Sequence, residues 1–248
     1  MPTAIEFRDV SLTLRDGRTL LDRIHLKLEQ GTITALLGRS GCGKTTLLRT
    51  VNRMTVPTAG AVLVDGKDNA QANIIRLRRG MGYVIQETGL FPHFTVARNV
   101  GTVPEISGGR IPETRTHELL EQVGLDAGKF ARRYPHQLSG GQRQRVGLAR
   151  ALAADPPILL MDEPFGALDP ITRAEMQDML HTLLEDLKKT VLMVTHDLDE
   201  ALYLASRIVL VEEGRIVADI PSGEFLDSNI PAVKAYQDAC YRNRKGVE

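Results

Sequence analysis

The run Gly38-Arg39-Ser40-Gly41-Cys42-Gly43-Lys44-Thr45 constrains this chain more than any other stretch: it reads GxxxxGK[ST] between a strand-like segment and a helical one. Upstream, Thr32 to Leu37 (TITALL) is short, apolar and partly β-branched, which predicts a buried strand; downstream, Thr46 to Arg53 (TLLRTVNR) spaces its apolar residues as a helix does. Glycines at 38, 41 and 43 open backbone conformations closed to other residues and let successive N–H groups approach an anion. A helix beginning near Lys44 points its positive end at that anion. Lys44 would then reach the β- and γ-phosphates of a nucleotide, the Thr45 hydroxyl would hold Mg²⁺, and Thr46 would add a contact to the α-phosphate. A Gly-rich turn with an incidental lysine is the plainer reading, and the flanking strand and helix weigh against it.

At 248 residues the chain has room for one large domain or two small ones. Its 31 basic and 31 acidic side chains give no electrostatic case for nucleic acid or an anionic surface. No apolar run approaches the roughly 20 residues that span a bilayer, and MPTAIEFRDV has no apolar signal region, so service to a membrane would require another chain to cross it. Cys42 and Cys240 are far apart in sequence, which argues against a structural disulfide and suits a reducing cytosol.

Residues 4 to 30 alternate as strands, with Ile5, Phe7, Val10, Leu12 and Leu14 before a turn at Arg15-Asp16-Gly17-Arg18 and Ile24, Leu26 and Leu28 after it, predicting an antiparallel sheet edge. Ala61 to Val64 followed by Asp65-Gly66 reads as a hairpin, and Gly82 to Ile85 as a buried strand ending at Gln86. From Glu87 to about Asp155 the spacing turns helical; Thr114 to Val123 places Leu119, Leu120 and Val123 on one face before Gly124. Phe91 to Val96 is apolar and broken by proline, suited to a local core or to a partner surface.

Two further constellations carry chemistry. Leu138-Ser139-Gly140-Gly141-Gln142 precedes a helix with Val146, Leu148, Ala149, Leu152 and Ala153 on its apolar side; Ser139 is a natural N-cap, and the glycines leave the first N–H groups open to an anion. Ile158 to Met161 is a buried strand that delivers Asp162 and Glu163 to its C-terminal end, where open α/β sheets bind ligands. Asp162 is placed there to orient Mg²⁺ through water, and Glu163 to polarise an attacking water. Thr190 to Thr195 is another buried strand, with His196-Asp197 at the same kind of end. Ser206 to Val211 and Arg215 to Ala218 form a last hairpin around Glu212-Glu213-Gly214, and the tail from Pro221 is helical.

Taken in order, GRSGCGKT, Gln86, LSGGQ, ILLMDE, Ala167-Leu168-Asp169 and His196 resemble the ATP-binding cassette (ABC) ATPases over nearly the whole chain. The resemblance implies an α/β P-loop NTPase core, a mostly parallel sheet with flanking helices, joined by an antiparallel β edge and a helical insertion. Residues 1–86 and 156–220 would form the core, 87–155 the helical signature subdomain, and 221–248 a short tail. It implies ATP and Mg²⁺ as cofactors and a head-to-tail dimer with a second ATPase subunit, a homodimer. Residues 38 to 46 of one chain would hold an ATP whose γ-phosphate meets Ser139, Gly140 and Gly141 of the other, with Gln142 beside them in the nucleotide site. By the same resemblance Glu163 is the catalytic glutamate, His196 the switch histidine, Gln86 the residue near Mg²⁺ and water, and Asp169 the link between the two sites. Thr45, Gln86 and Asp162 would hold the metal.

The chain departs from the family pattern twice. Leu14 stands near where an aromatic commonly stacks on adenine, and Gly166 where serine is frequent. The phrases VIQETGLFPH and VPE are most similar to the ATPase subunits of bacterial importers for glycine betaine, choline and carnitine. That likeness implies integral membrane permease subunits as partners, an extracytoplasmic solute-binding protein acting indirectly, and a peripheral position on the cytoplasmic face of the plasma (inner) membrane. Many of those subunits carry C-terminal regulatory domains; none is expected here. An importer for another small solute, such as an amino acid, or a lipid or efflux system stays open on these motifs.

Overall fold

The computed structural model describes residues 2–166 and 168–245; Ala167 of the loop before Asp169 and the last three residues of the expected tail lie outside the described residues. In chain order the elements are β1 (Thr3–Thr13), β2 (Thr19–Glu29), β3 (Ile33–Leu37), α1 (Lys44–Val51), β4 (Ala59–Val64), β5 (Lys67–Asp68), α2 (Ile74–Arg79) and β6 (Met81–Val84). There follow α3 (Val96–Ile106), α4 (Glu113–Gln122), α5 (Ala127–Phe130), α6 (Gly140–Leu152), β7 (Ile158–Asp162), α7 (Pro170–Leu187), β8 (Thr190–Val194), α8 (Leu198–Leu204), β9 (Arg207–Glu212), β10 (Arg215–Pro221) and α9 (Pro231–Lys245). Contacts divide the chain into two compact units, Met1–Ile74 with Thr190–Glu248, and Ile75–Lys189.

The first unit holds an antiparallel sheet in the order β2-β1-β4-β5. Its sequence alternation changes phase, because Ile5 and Phe7 are odd while Val10 and Leu12 are even, yet all four are buried. A bulge reconciles them: the ladder with β2 shifts between Phe7 and Val10, and Asp9 and Arg23 both take left-handed φ, 52° and 49°. The second sheet of this unit runs β10-β9-β3-β8, with β9, β3 and β8 parallel and β10 antiparallel on β9. With a strand on each side, β3 is buried along nearly its whole length, which is why TITALL reads as a continuous apolar run rather than an alternating one. Helix α1 packs against β8 and β4.

In the second unit β6 and β7 pair in parallel, and α6 is the hub on which β6, α3, α4 and α7 pack. Val100, Leu119, Leu120, Val146 and Ala149 are fully buried in that helical core. Of its helices, α3 falls within the stretch expected to be helical without bounds of its own, and α7 lies outside the sequence expectation. Helix α3 carries Pro104 near its C-terminal end and is started by Thr95, whose side chain accepts from the Arg98 amide at 3.3 Å. Helix α7 opens on Asp169-Pro170, an N-cap followed by proline at the first helical position. Contact density thus groups β6, β7 and α7 with the helices, whereas the division at 86/87 and 155/156 follows the change from strand to helix character and stands as a proposed division. Among the described residues no helix is long and apolar enough to cross a membrane.

Leu36, at the centre of β3, has no solvent exposure. Leu36→Ala is expected to cost about 2–5 kcal/mol, read as a lowered urea midpoint; a midpoint within error of the wild type would contradict the central place given to β3.

Candidate functional site

In the first unit the phosphate loop joins β3 to α1. Gly38 has φ +151°, and a Cβ there would sit 2.2 Å from the Val211 carbonyl oxygen, so only glycine lets the loop run so close to β9. Gly43, at φ 107°, is the N-cap of α1 and supplies no side-chain acceptor, so the first amides of the helix stay directed outward from its start. Lys44 is 4% exposed, and its Nζ donates to the Gly38 and Arg39 carbonyls at 2.7 and 2.8 Å. Thr45 and Thr46 follow on α1, both half-buried, with Arg39, Ser40 and Gly41 exposed and Cys42 half-buried in the loop.

His196 leaves β8 at the same end of the sheet, since Leu36 of β3 pairs in parallel with Val194. Its neighbours are fixed: Thr195 Oγ1 donates to the buried Glu200 carboxylate at 2.6 Å and accepts from the Asp197 amide at 3.0 Å. Leu14 is half-buried in the turn after β1, its amide donating to the Arg18 carbonyl at 2.8 Å.

In the second unit β7 delivers Asp162, 1% exposed, and then Glu163. Glu163 has φ +46° and precedes Pro164, a conformation strained for a residue with a Cβ. Gln86 Nε2 donates to Glu163 Oε2 at 3.2 Å, and the Tyr83 hydroxyl to Asp162 Oδ2 at 3.3 Å. The structure therefore joins two residues far apart in sequence, Gln86 and Glu163, at one strand end. Strain of this kind concentrates at functional sites.

Ser139 closes a full capping box on α6: its Oγ accepts from the Gln142 amide at 3.2 Å, and Gln142 Oε1 accepts from the Ser139 amide at 3.0 Å. The expected open helix end is thus narrower than the sequence suggests, because the Gln142 amide is taken; the Ser139 hydroxyl keeps its proton to donate. A Cβ on Gly141 would come within 2.4 Å of Thr172 Cγ2, so this glycine lets α6 start against α7. Asp169 caps α7 by accepting from the Thr172 amide at 3.1 Å; hydrogen bonding from the Thr172 side chain, and then from that amide, holds its carboxyl below the usual range. Gly166 needs no special backbone freedom: a Cβ would meet Glu163 Oε2 only at an ordinary 3.5 Å.

Three residues that the sequence reading passes over organise this unit. Gln144 Nε2 donates to the Pro164 carbonyl at 2.7 Å, immediately after Glu163. Arg150 donates to the Thr88 and Gly89 carbonyls at 2.7 and 2.8 Å, holding the segment that follows Gln86. Tyr83 meets Asp162. The signal for Gln144 is a buried amide on the same helix face as Leu148.

A parallel sheet whose strand ends carry a glycine-shaped phosphate loop places the chain in the P-loop nucleotide-binding class. The family is narrower. The model for the ABC transporter family matches residues 21–166, and the chain belongs to that family. It is similar to the osmoprotectant import ATP-binding protein OsmV of Salmonella typhimurium, 48% identical over 83% of this chain and 54% of that protein. It is also similar to the choline transport ATP-binding protein OpuBA of Bacillus subtilis, 43% identical over 95% of this chain and 64% of that protein. The chain thus spans between half and two thirds of the length of these relatives. Among solved structures, the ATP-binding cassette MJ0796 in a dimeric post-hydrolysis state with ADP and Pi superposes with a TM-score of 0.79 at 32% identity, covering 88% of this chain and 98% of that one.

Gln144→Leu leaves the Pro164 carbonyl without its donor and is expected to destabilise the protein by about 1–3 kcal/mol. Gly166→Ser, in contrast, should stay within about 0.5 kcal/mol. Chemical denaturation of both variants checks the pair; equal effects would contradict the environments described.

Proposed function

We propose that this chain is the ATP-hydrolysing subunit of a membrane importer for quaternary ammonium osmoprotectants such as glycine betaine, choline or carnitine. The observation that carries hydrolysis is the hydrogen bond from Gln86 to Glu163 at a strained strand end. A carboxylate held in one orientation beside an amide is suited to polarising a water molecule. Lys44 and the amides of residues 38 to 46 bind the phosphates; Leu14 gives the adenine an aliphatic rest. His196 senses the γ-phosphate, and Ser139 to Gln142 and Asp169 serve a second copy of the chain in a head-to-tail dimer. The solved dimer of a related cassette with ADP and Pi supports this arrangement.

Thr45 offers a hydroxyl, Asp162 a buried carboxylate, and Gln86, which commits Nε2 to Glu163, its amide oxygen. Hard oxygen donors of this kind fit Mg²⁺. When bound, the ion neutralises charge on the phosphates.

The relatives named for osmoprotectant and choline transport support the substrate class. An exposed aromatic group supports docking to permease subunits at the membrane: Phe91 and His93 are exposed, Phe94 packs on both with ring centroids 5.1 and 4.5 Å away, and the Arg98 guanidinium lies 3.9 Å from the Phe94 centroid. The same reading makes the protein peripheral on the cytoplasmic face, with a solute-binding protein acting through the permease.

Glu163→Gln should lower the rate of phosphate release at least about 100-fold while ATP binding is kept and an ATP-bound dimer accumulates on size exclusion. A monomeric variant hydrolysing at the wild-type rate would refute the role of Glu163. Lys44→Ala should weaken nucleotide binding at least about 10-fold, at 1.4 kcal/mol per decade, in a fluorescent-nucleotide titration; unchanged affinity would refute the phosphate cradle.

A further inference from the structure

The sequence reading treats everything after Pro221 as a tail, but the first unit uses it as a brace. Helix α9 is anchored by Val233, which is fully buried, and by Gln237, whose Nε2 donates to the Phe225 carbonyl at 2.6 Å. One turn from Val233 on this docked helix, the Tyr236 hydroxyl donates to the backbone carbonyl of His196 at 2.9 Å. Tyr236 also lines a cavity of about 280 Å³ that reaches Arg39, Ser40, Gly41 and Cys42, the phosphate loop. The far end of the chain thus borders both functional segments of this unit, and to one of them it is hydrogen-bonded.

The residues on either side of His196 are held by bonds of their own. Thr195 is bonded to Glu200 and to the Asp197 amide, and Asp197 caps α8 through the Asp199 amide at 2.8 Å. Those contacts fix the residues before and after His196; the carbonyl of His196 itself is met by Tyr236. Burial, then the neighbouring Cys240, Asp197 and Cys42, push the Tyr236 phenol above its ordinary range, so it keeps its proton and remains a donor. An imidazole that must meet a γ-phosphate needs its backbone in one orientation, because a small rotation of the peptide displaces the ring tip several-fold more than the Cα.

We propose that Tyr236 is a positioning residue for His196, making helix α9 part of the machinery for hydrolysis rather than an appendage. This rests on the reading of the chain as an ATPase with His196 as its γ-phosphate sensor.

The test uses the full chain carrying Tyr236→Phe, which removes one hydroxyl and keeps the ring. The expected result is a fall in kcat of about 3- to 10-fold, the scale of one hydrogen bond, with KM for MgATP and Tm unchanged. Histidine-selective NMR supplies a second measurement: the imidazole resonance absent from His196→Ala should move in Tyr236→Phe, while the remaining histidine signals stay in place. Wild-type kcat together with an unmoved His196 resonance overturns the inference. A fall in kcat accompanied by an equal change at all histidines, or by loss of Tm, overturns it in favour of a general packing role. A wild-type chain without ATPase activity instead overturns the hydrolytic reading and this inference with it, so the two failures are told apart.

Discussion

A buried ammonium sets the terms at the end of β3. Lys44 is almost without solvent, and taking a cation out of water is costly unless polar groups replace the hydration. Here the carbonyls of Gly38 and Arg39 do so at 2.7 and 2.8 Å, which means the loop is wrapped around its own lysine. That wrapping demands backbone at Gly38 that lies against Val211 with no room for a side chain. It also requires a strand on each side of β3 to keep the loop's base still, and β8 and β9 provide them. The motif is therefore only the visible part of a larger requirement on the sheet.

The second unit solves a different problem, which is how to hold a carboxylate in a conformation it would not choose. Glu163 sits at positive φ before a proline. Gln86 holds its side chain, and Gln144 holds the carbonyl of the next residue. Arg150 in turn holds the carbonyls just after Gln86. Gln144 and Arg150 lie on one helix, α6, whose first turn is the capped Ser139 to Gln142 segment, so one helix supports the residues next to both Glu163 and Gln86.

Much of this was legible in the sequence, for reasons that differ by element. The phosphate loop, the acid pair after β7 and the Ser139 cap are local motifs, written in consecutive residues, and the structure places each where strand, turn and helix signals put it. The parallel strands read as apolar runs because both their faces are covered. The phase change in β1 was visible as odd then even apolar positions, but only the ladder shows that Asp9 and Arg23 absorb it. Helix α3 falls in the stretch that reads as helical, with only its end blurred by Pro104, whereas the start of α7 is written in the Asp169-Pro170 cap rather than in a clear apolar period. The contacts of Gln144, Arg150 and Tyr236 were not legible, because each is a long-range bond to a backbone carbonyl, and any residue can offer one.

The discontinuity of the first unit has a consequence for how the chain is made. Its central strand β3 lies near the N-terminus, yet both of its neighbours, β8 and β9, come from residues beyond 189. On the ribosome, Ile33 to Leu37 emerges as an apolar strand with two bare edges and keeps them until most of the chain has been translated. The second unit, continuous in sequence, can gather its own contacts in that interval. Synthesis therefore leaves the strand that ends in the phosphate loop exposed for most of translation, and the nascent chain is vulnerable to mispairing at a strand the finished protein buries on both sides.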